Sequence, residues 1–137
     1  MATLIDSNIL LDIAAPETKW FDWSVRKLVE VKRHGDILFN VVIASEFAYS
    51  FRSEADYVSF LAGTPMKYEP IPETVSYRAA VAHRRYRQSG GRRERTLPDF
   101  LIGAHASVGE YGILTRDPSV YRTYFPDLDI IAPDTHP

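Results

Sequence analysis

Four acidic residues, far apart in the sequence, each stand beside a short apolar segment or near a helix start. Asp6 follows ATLI, Glu46 lies within VVIASEF, Asp99 opens the segment TLPDFLIGAHA, and Asp117 follows GILTR. Carboxylates that crowd together repel one another and raise one another's pKa, so a cluster of them requires a cation. Oxygen ligands without cysteine or paired histidine select Mg²⁺ or Mn²⁺ over zinc. The four acids therefore predict a divalent-metal site, provided that the fold brings them together.

Each acid also has an ordinary structural interpretation. A carboxylate in the first turn of a helix gains about 0.3–1 kcal/mol from the helix dipole. Aspartate and serine are, moreover, common helix caps. A single acid of this kind favours a structural role, whereas four acids that all fall at strand ends or helix starts favour a shared site.

The elements that must position these acids alternate between short apolar strands and amphipathic helices. Strands are predicted over 2–5, 36–43, 66–69, 112–115 and 128–131, and helices over 8–14, 17–34, 44–52, 54–62, 73–89, 96–110 and 120–125. This alternation is typical of an α/β fold with a mostly parallel sheet of four to five strands. Sites in such open sheets form beyond the carboxyl ends of the strands. We therefore expect all four acids on one rim of the sheet.

Length and composition limit the class of protein. The chain has 137 residues, of which 45% are hydrophobic and 25% charged, so we expect one ordinary globular domain over 1–137. No apolar run approaches the roughly 20 residues that cross a bilayer, and no signal region is evident, so we expect no export. The absence of cysteine fits a reducing cytoplasm. Because the net charge is −2, any nucleic-acid binding must be local.

Four stretches together resemble a PIN domain, in particular the VapC-type toxin of bacterial and archaeal toxin–antitoxin pairs. They are LIDSNILL, ASEFAYSF, LPDFLIGAHA and LTRDPSVYRTYFPDLDIIAP, and the resemblance runs from residue 3 to 133. It implies a three-layer α/β/α sandwich, an Mg²⁺- or Mn²⁺-dependent ribonuclease activity, a homodimer, and inhibition by a cognate antitoxin. The acids of the family fall on Asp6, Glu46, Asp99 and Asp117. Asn8 and Thr115 match the polar positions that support its site.

The resemblance and metal chemistry together suggest a role for each acid. Asp6 and Asp99 are the expected direct ligands, and Asp117 completes the site directly or through a water. For Glu46 three roles stay open: a ligand, a partner of a metal-bound water, or a group that positions the nucleophile. An Mg²⁺ ion held by few carboxylates keeps several waters and binds phosphate oxygens, so it can activate water and neutralise charge. Attack by water leaves a 5′-phosphate and a 3′-hydroxyl.

A basic segment precedes Asp99. HRRYRQSGGRRER, residues 83–95, carries six arginines and one acid. Guanidinium groups match phosphate oxygens, and Tyr86 is a candidate to stack on an unpaired base. The alternative is a solvated helix end, where the dipole favours cations. The candidate RNA contacts are Arg84, Arg85, Arg87, Arg92, Arg93 and Arg95, together with Arg116, which has pairing with a site acid as its alternative.

Aromatic residues of the first long helix form a third pattern. Trp20 and Trp23 share one helix face while Phe21 points elsewhere, although aromatics at helical spacing usually belong to a core. In the family that this chain resembles, such a surface binds the C-terminal segment of the antitoxin, and apolar anchors of this kind serve binding in a groove. We therefore take Trp20 and Trp23 as candidate antitoxin contacts. His105, by contrast, is expected to pack or cap rather than to bind metal.

Three other classes of protein could account for the acidic residues. One residue position argues against each of the first two, and an assay tests the third. A phosphatase of the haloacid dehalogenase type requires a second aspartate two residues after the first, where this chain has Asn8. A receiver-type signalling domain requires a lysine after a late strand, where LTRDP supplies an acid. The remaining alternative is a catalytically silent PIN-like module that binds RNA or serves as a scaffold. The full set of four acids argues against it, and an assay of metal-dependent cleavage separates the two.

Overall fold

The computed structural model describes residues 1–91 and 95–137 and arranges them as an α/β fold. Five strands are present in this part of the chain: β1 (Thr3–Ile5), β2 (Ile37–Phe39), β3 (Lys67–Tyr68), β4 (Gly112–Leu114) and β5 (Ile130–Ile131). The helices described with them are α1 (Ser7–Ala14), α2 (Phe21–His34), α3 (Val41–Ala48), α4 (Glu54–Ala62), α5 (Val75–Gln88), α6 (Leu97–Gly109) and α7 (Ser119–Tyr124).

The strands form one sheet in the order β3-β2-β1-β4-β5, and every pairing is parallel. After β1 the chain adds β2 and β3 on one side of it, and then crosses over to add β4 and β5 on the other side. Crossovers between parallel strands are almost always right-handed, which places α1–α4 on one face and α5–α7 on the other. The predicted three-layer α/β/α architecture with a parallel sheet is thus confirmed.

The middle of the sheet is buried on both faces. All residues of β1, β2 and β4 are buried, as expected for parallel strands that are covered by helices on both sides. Leu4 pairs with Leu38 on one side and with Ile113 on the other. These strands are continuously apolar in sequence because both faces of the sheet are buried there.

Several predicted boundaries were wrong. The helix predicted over 44–52 runs from Val41 to Ala48, and the strand predicted over 128–131 contains only Ile130–Ile131. The segment 36–43 was predicted as one strand, but the strand ends at Phe39 because the Asn40 side chain accepts a hydrogen bond from the Ile43 amide and caps α3. The helix predicted from residue 17 begins only at Phe21. Residues 16–20 instead form turns, in which the Thr18 amide donates to the carbonyl of Ala15 and the Phe21 amide to that of Thr18.

Helix α6 is packed tightly on its neighbours, which matters because it carries Asp99. Gly103 lies in the middle of α6 and is buried. A Cβ atom added there would meet the ring of Phe125 at 2.4 Å, so the absence of a side chain lets the end of α7 approach α6. None of the helices in the described ranges is both long and apolar enough to span a membrane.

We predict that Gly103→Ala lowers the melting temperature, although alanine is normally better than glycine in a helix by about 1 kcal/mol. The new methyl group must displace the Phe125 ring, and overpacking of this kind typically costs about 1–3 kcal/mol. Thermal denaturation followed by circular dichroism measures the effect. Gly63→Ala is the matched control, since its Cβ meets only ordinary contacts at 3.5 Å. Equal melting temperatures for the two variants would contradict the packing argument.

Candidate active site

The site residues meet where the chain changes direction across the sheet. β1 and β4 are neighbours, with Ile5 opposite Leu114, and the Asp6 amide donates to the Leu114 carbonyl at 3.0 Å. Asp6 and Thr115, the residues that follow these two strands, are therefore side by side. In parallel sheets this switch point opens a crevice at the carboxyl ends, where ligands bind.

The carboxylate of Asp6 is buried, with 7% of the residue exposed, and is surrounded by donors. Its Oδ2 accepts from the hydroxyl of Thr115 at 2.8 Å and from that of Tyr121 at 3.0 Å. The Asn8 amide is a longer third donor at 3.4 Å. Its Oδ1 accepts from the backbone amide of Ser7 at 2.8 Å, so Asp6 also caps α1. The helix-cap interpretation of Asp6 is thus correct, and it describes only one of the two oxygens.

Burial raises the pKa of Asp6, and repulsion from Asp99 raises it further, whereas the hydrogen bonds from Thr115, Tyr121 and Ser7 lower it. The donors therefore offset part of the cost of placing a charge in the interior. They also fix the carboxylate in one orientation.

Thr115 and Asn8 are themselves fixed by further hydrogen bonds, which stabilise the orientation of the Asp6 carboxylate. The Thr115 side chain is fully buried, and its oxygen accepts from the Asp117 amide at 3.0 Å and from the Asn8 side chain at 3.3 Å. The carbonyl oxygen of Asn8 accepts from the amide of Arg116 at 3.2 Å. These bonds join the start of α1 to the loop after β4.

Glu46 reaches the same region from the second turn of α3. Its Oε1 accepts from the hydroxyl of Ser7 at 3.1 Å. Partial desolvation raises the pKa of the Glu46 carboxyl, and repulsion from Asp6 and Asp99 adds to the increase. The residue is exposed on the surface of α3, so its second carboxyl oxygen is accessible from solvent.

Asp99 lies in the first turn of α6. Its side chain accepts from the Thr96 amide at 3.3 Å, which is one half of a capping box, and Pro98 occupies the tolerated first turn. Desolvation raises the pKa of the Asp99 carboxyl, and the charge of Asp117 adds to that increase. The Thr96 amide and the guanidinium of Arg95 oppose it.

Asp117 is half-buried and already has a cation beside it. One carboxyl oxygen forms an ion pair with Arg95, and the other accepts from the hydroxyl of Ser119 at 3.3 Å. The side chain of Arg95 retains 27% of its exposure and that of Asp117 retains 45%. An internal arginine thus neutralises part of the negative charge at this rim.

The acids are close enough to interact electrostatically but are not gathered into a cage. Asp99 raises the pKa of both Asp6 and Glu46, so these charges share one region. Over the ranges 1–91 and 95–137, however, no three acidic, histidine or cysteine side chains form a metal-binding group. Mg²⁺ usually takes one or two carboxylates and keeps several waters rather than binding in an all-protein cage. The donor set therefore fits Mg²⁺ or Mn²⁺ with incomplete protein ligation.

Two site residues were not identified from the sequence. Tyr121 is buried in α7 and donates to Asp6, and burial together with the negative charge of Asp6 raises its pKa well above the ordinary value, so it remains a donor. Ser7 links Asp6 to Glu46 through its amide and its hydroxyl. Ser7 lies within the LIDSNILL stretch and Tyr121 within the LTRDPSVYRTYFPDLDIIAP stretch, but nothing in the local sequence indicates that either contacts Asp6.

The candidate RNA-binding arginines fall into three groups. Arg84, Arg85 and Arg87 are exposed at the end of α5, while Arg92 and Arg93 lie outside the described residues. Arg95 pairs with Asp117. Arg116 pairs with buried Asp12 at 2.5 Å, an acid outside the candidate set, so the alternative by which Arg116 pairs with a site acid is wrong.

The aromatic residues predicted to be accessible are more buried than expected. Trp23 is only 7% exposed and donates its indole N–H to the His136 carbonyl at 2.8 Å, so this prediction of an open antitoxin contact was wrong. Trp20 is half-buried against Trp23, at 6.2 Å between ring centroids, and stays accessible in part. Tyr86, the candidate for base stacking, packs against Phe100.

His105 behaves as the sequence predicts for a packing residue. Its ring is buried and its Nδ1 accepts from the Asn40 side chain at 2.9 Å, which links α6 to the cap of α3. Burial lowers the pKa of His105, which keeps the ring neutral.

Comparisons with known proteins agree with this geometry. The PIN domain family matches residues 3–126. VapBC2 from Rickettsia felis, solved with a promoter DNA fragment, is 14% identical with a TM-score of 0.75, over 96% of this chain and 98% of that one. FitAcB from Neisseria gonorrhoeae is 16% identical with a TM-score of 0.71, over 94% and 96%. At such identities these structures show a common fold. No curated protein sequence matches the chain.

We predict that Asp99→Asn raises the melting temperature by a few degrees at neutral pH in metal-free buffer. Because the folded-state pKa of Asp99 lies above its ordinary value of 3.8, the folded protein is destabilised once this group loses its proton. Asparagine keeps the capping acceptor and removes the charge. The advantage of the variant should shrink as the pH falls through the folded-state pKa and vanish below the unfolded-state value.

Differential scanning calorimetry at several pH values measures this effect. Asp129→Asn is the matched control. Asp129 is exposed and lies at the amino end of β5, whereas the site acids lie at the carboxyl ends of the strands. A pH-independent difference for Asp99→Asn would contradict the repulsion argument.

Proposed function

This chain belongs to the PIN domain family, and on that premise we propose that it is an Mg²⁺- or Mn²⁺-dependent endoribonuclease, the toxin of a toxin–antitoxin pair. The main support is the set of carboxyl groups of Asp6, Glu46 and Asp99 at the carboxyl ends of the strands, whose pKa values are raised by burial and further by a neighbouring acid in each case. A stable fold gains nothing from such repulsion, whereas a cation site requires it.

In this proposal Asp6 and Asp99 hold the ion. Oδ1 of Asp6 accepts only the Ser7 amide among the described residues, whereas Oδ2 accepts from Thr115, Tyr121 and Asn8. The donors thus fix one oxygen and leave the other with a lone pair for a cation. Asp117 contributes directly or through water once Arg95 moves away from it.

A bound ion of this kind lowers the pKa of water, neutralises charge on the phosphoryl group and orients the attack. The protein contributes orientation. Thr115, Asn8 and Tyr121 hold Asp6, while Ser7 holds Glu46 beside it. Glu46, exposed and with a raised pKa, is suited to accept a hydrogen bond from the attacking water. Hydrolysis by water produces a 5′-phosphate and a 3′-hydroxyl.

The proposed partners follow from the family and from the structural neighbours. Those neighbours include a toxin–antitoxin complex from Klebsiella pneumoniae and VapBC-5 from Mycobacterium tuberculosis, a member of the VapBC family of toxin–antitoxin systems. We therefore propose a cognate antitoxin for this chain, with Trp20 as a contact. A homodimer and a cytoplasmic location are part of the same proposal. The exposed arginines Arg84, Arg85 and Arg87 and the partly exposed Arg95 are the proposed contacts to RNA phosphates.

We predict that Asp6→Asn and Asp99→Asn each lower the rate of Mg²⁺-dependent cleavage of a structured RNA by at least about 100-fold. A metal ion contributes several kcal/mol to transition-state stabilisation, and each 1.36 kcal/mol is a tenfold change in rate. Gel analysis of cleavage over time, with and without EDTA, measures the effect. Wild-type cleavage should stop in EDTA and return with excess Mn²⁺.

Asp129→Asn, which removes an exposed acid at the amino end of β5, should retain the wild-type rate. Cleavage that survives EDTA, or full activity in Asp99→Asn, would refute the metal-nuclease proposal. A wild-type protein that binds RNA without ever cleaving it would instead favour the catalytically silent module.

We predict that changing Arg84, Arg85 and Arg87 together to glutamine weakens RNA binding by the inactive Asp6→Asn protein. Removing each arginine–phosphate interaction should reduce the slope of log affinity against log salt by about 0.7 for single-stranded RNA. Fluorescence anisotropy with labelled RNA at several salt concentrations measures this slope. Mn²⁺ affinity should not change, because these three arginines form no ion pair with a site acid within residues 1–91 and 95–137.

The matched control changes Lys32 and Arg33 to glutamine. These residues are exposed at the end of α2, which leads into the amino end of β2 and so lies away from the site. The slope of log affinity against log salt could be the same in both sets of variants and in the Asp6→Asn protein. In that case the arginines of α5 form only a solvated helix end.

A further inference from the structure

A cleft of about 290 Å³ lies beside Asp117, between the end of α5, Arg95 and the outer side of α7. We call it the α7 cleft. It is lined by Tyr86, Arg95, Ser119, Val120, Thr123 and Tyr124. Nothing in the proposed chemistry uses this cleft, although two of its lining residues contact a candidate site acid.

We propose that the α7 cleft receives one unpaired nucleotide of single-stranded RNA, the nucleotide next to the phosphate that is cleaved. This inference rests on the proposed ribonuclease function and adds to it the place where the substrate is positioned. The volume lies at the lower end of the range for small-ligand pockets, about 300–1,000 Å³, which suits a single nucleotide rather than a duplex.

The α7 cleft lies directly beside the candidate site acids. Ser119 donates to one oxygen of Asp117 at 3.3 Å, and Arg95 pairs with the other. Asp117 in turn is close enough to Asp99 to raise its pKa. A nucleotide in the cleft therefore places its neighbouring phosphate beside the acids that would hold the ion.

The residues that line the α7 cleft suit the phosphate and the base of a nucleotide. Arg95 offers a planar guanidinium, which matches phosphate oxygens in geometry and charge. Tyr124 supplies an aromatic wall, and the hydroxyl groups of Ser119 and Thr123 can bond a base edge or a 2′-hydroxyl. Unpaired RNA is recognised by this combination of aromatic stacking and polar contacts.

The aromatic wall is held in place by the core. Tyr124 packs edge-on against Phe100, with ring centroids 5.8 Å apart, and Phe100 is fully buried. Tyr86 lies against the same Phe100 ring at 5.4 Å. A base entering the cleft thus meets a surface that is already ordered, which reduces the entropic cost of binding.

Arg95 connects the cleft to the acid set. Its ion pair with Asp117 is partly exposed, and solvent-exposed pairs contribute little to stability. Exchange of the carboxylate for a substrate phosphate is therefore inexpensive. The same movement frees Asp117 to face the ion, so binding of the nucleotide and completion of the acid set occur together.

The test fills the cleft. Thr123 is exposed on α7, so Thr123→Phe places a ring in the cleft without disturbing the core. Made in the inactive Asp6→Asn protein, it should weaken the binding of a short labelled single-stranded RNA by about tenfold or more, the reduction expected when one base no longer stacks. Ser59→Phe, on the exposed side of α4, is the matched control and should bind like the parent.

Arg95→Gln provides an independent second variant. It should also weaken RNA binding and should reduce the salt slope by about 0.7. Mn²⁺ affinity, measured by calorimetry, should be equal to that of the parent or higher, because the variant removes a cation that competes for Asp117. Weaker Mn²⁺ binding in Arg95→Gln would overturn the exchange between Asp117 and phosphate.

The outcomes separate this inference from the proposed function. If wild-type protein cleaves RNA and Thr123→Phe binds RNA like the parent, the α7 cleft is not the nucleotide site and the nuclease proposal stands. If wild-type protein cleaves no RNA but Thr123→Phe and Arg95→Gln both weaken RNA binding, the nuclease proposal fails and the cleft remains an RNA site. RNA affinity unchanged in both variants overturns the inference.

Discussion

The need to satisfy one buried carboxylate governs this structure. Asp6 ends the central strand, where water cannot reach most of its surface, so the protein must supply the donors. Thr115 comes from the neighbouring strand, Tyr121 from α7 and Ser7 from the backbone of α1. Because these donors belong to both faces of the sheet, the layers must register correctly before the Asp6 carboxylate can be buried in its charged form. The packing of the core and the geometry of the site are therefore a single requirement.

That requirement leaves the rim electrostatically unfavourable. Glu46 and Asp99 are placed near Asp6 by α3 and α6. Burial raises the pKa of each acid, and repulsion from a neighbouring acid adds to the increase. Natural folds tolerate such local costs at functional sites while the remaining structure is consistent. Arg95 relieves part of the cost at Asp117. The rim thus holds more negative charge than stability alone would favour, and Arg95 places a partly exposed cation beside it.

The sequence predicted what depends on local pattern. Apolar runs located the buried strands β1, β2 and β4, and the position of Asp6 after β1 and of Asp99 in the first turn of α6 could be predicted from strand ends and capping signals. Asn40 was misjudged because its β-branched neighbours favour a strand, and its cap became visible only with the Ile43 amide in place. Trp23 was taken as accessible because a helix face does not reveal that the distant C-terminal segment covers it. Tyr121 approaches Asp6 from 115 positions away, a distance that no local pattern spans.

The separation between Asp6 and Thr115, 109 positions along the chain, has a consequence for synthesis. β1 is synthesised well before its partner β4 and the donor on α7. A nascent chain therefore carries Asp6 without the groups that orient it until α7 has been made, and nonlocal parallel pairing forms slowly even afterwards. The acid rim is thus assembled only after α7 has been synthesised, because the orientation of Asp6 depends on these distant partners.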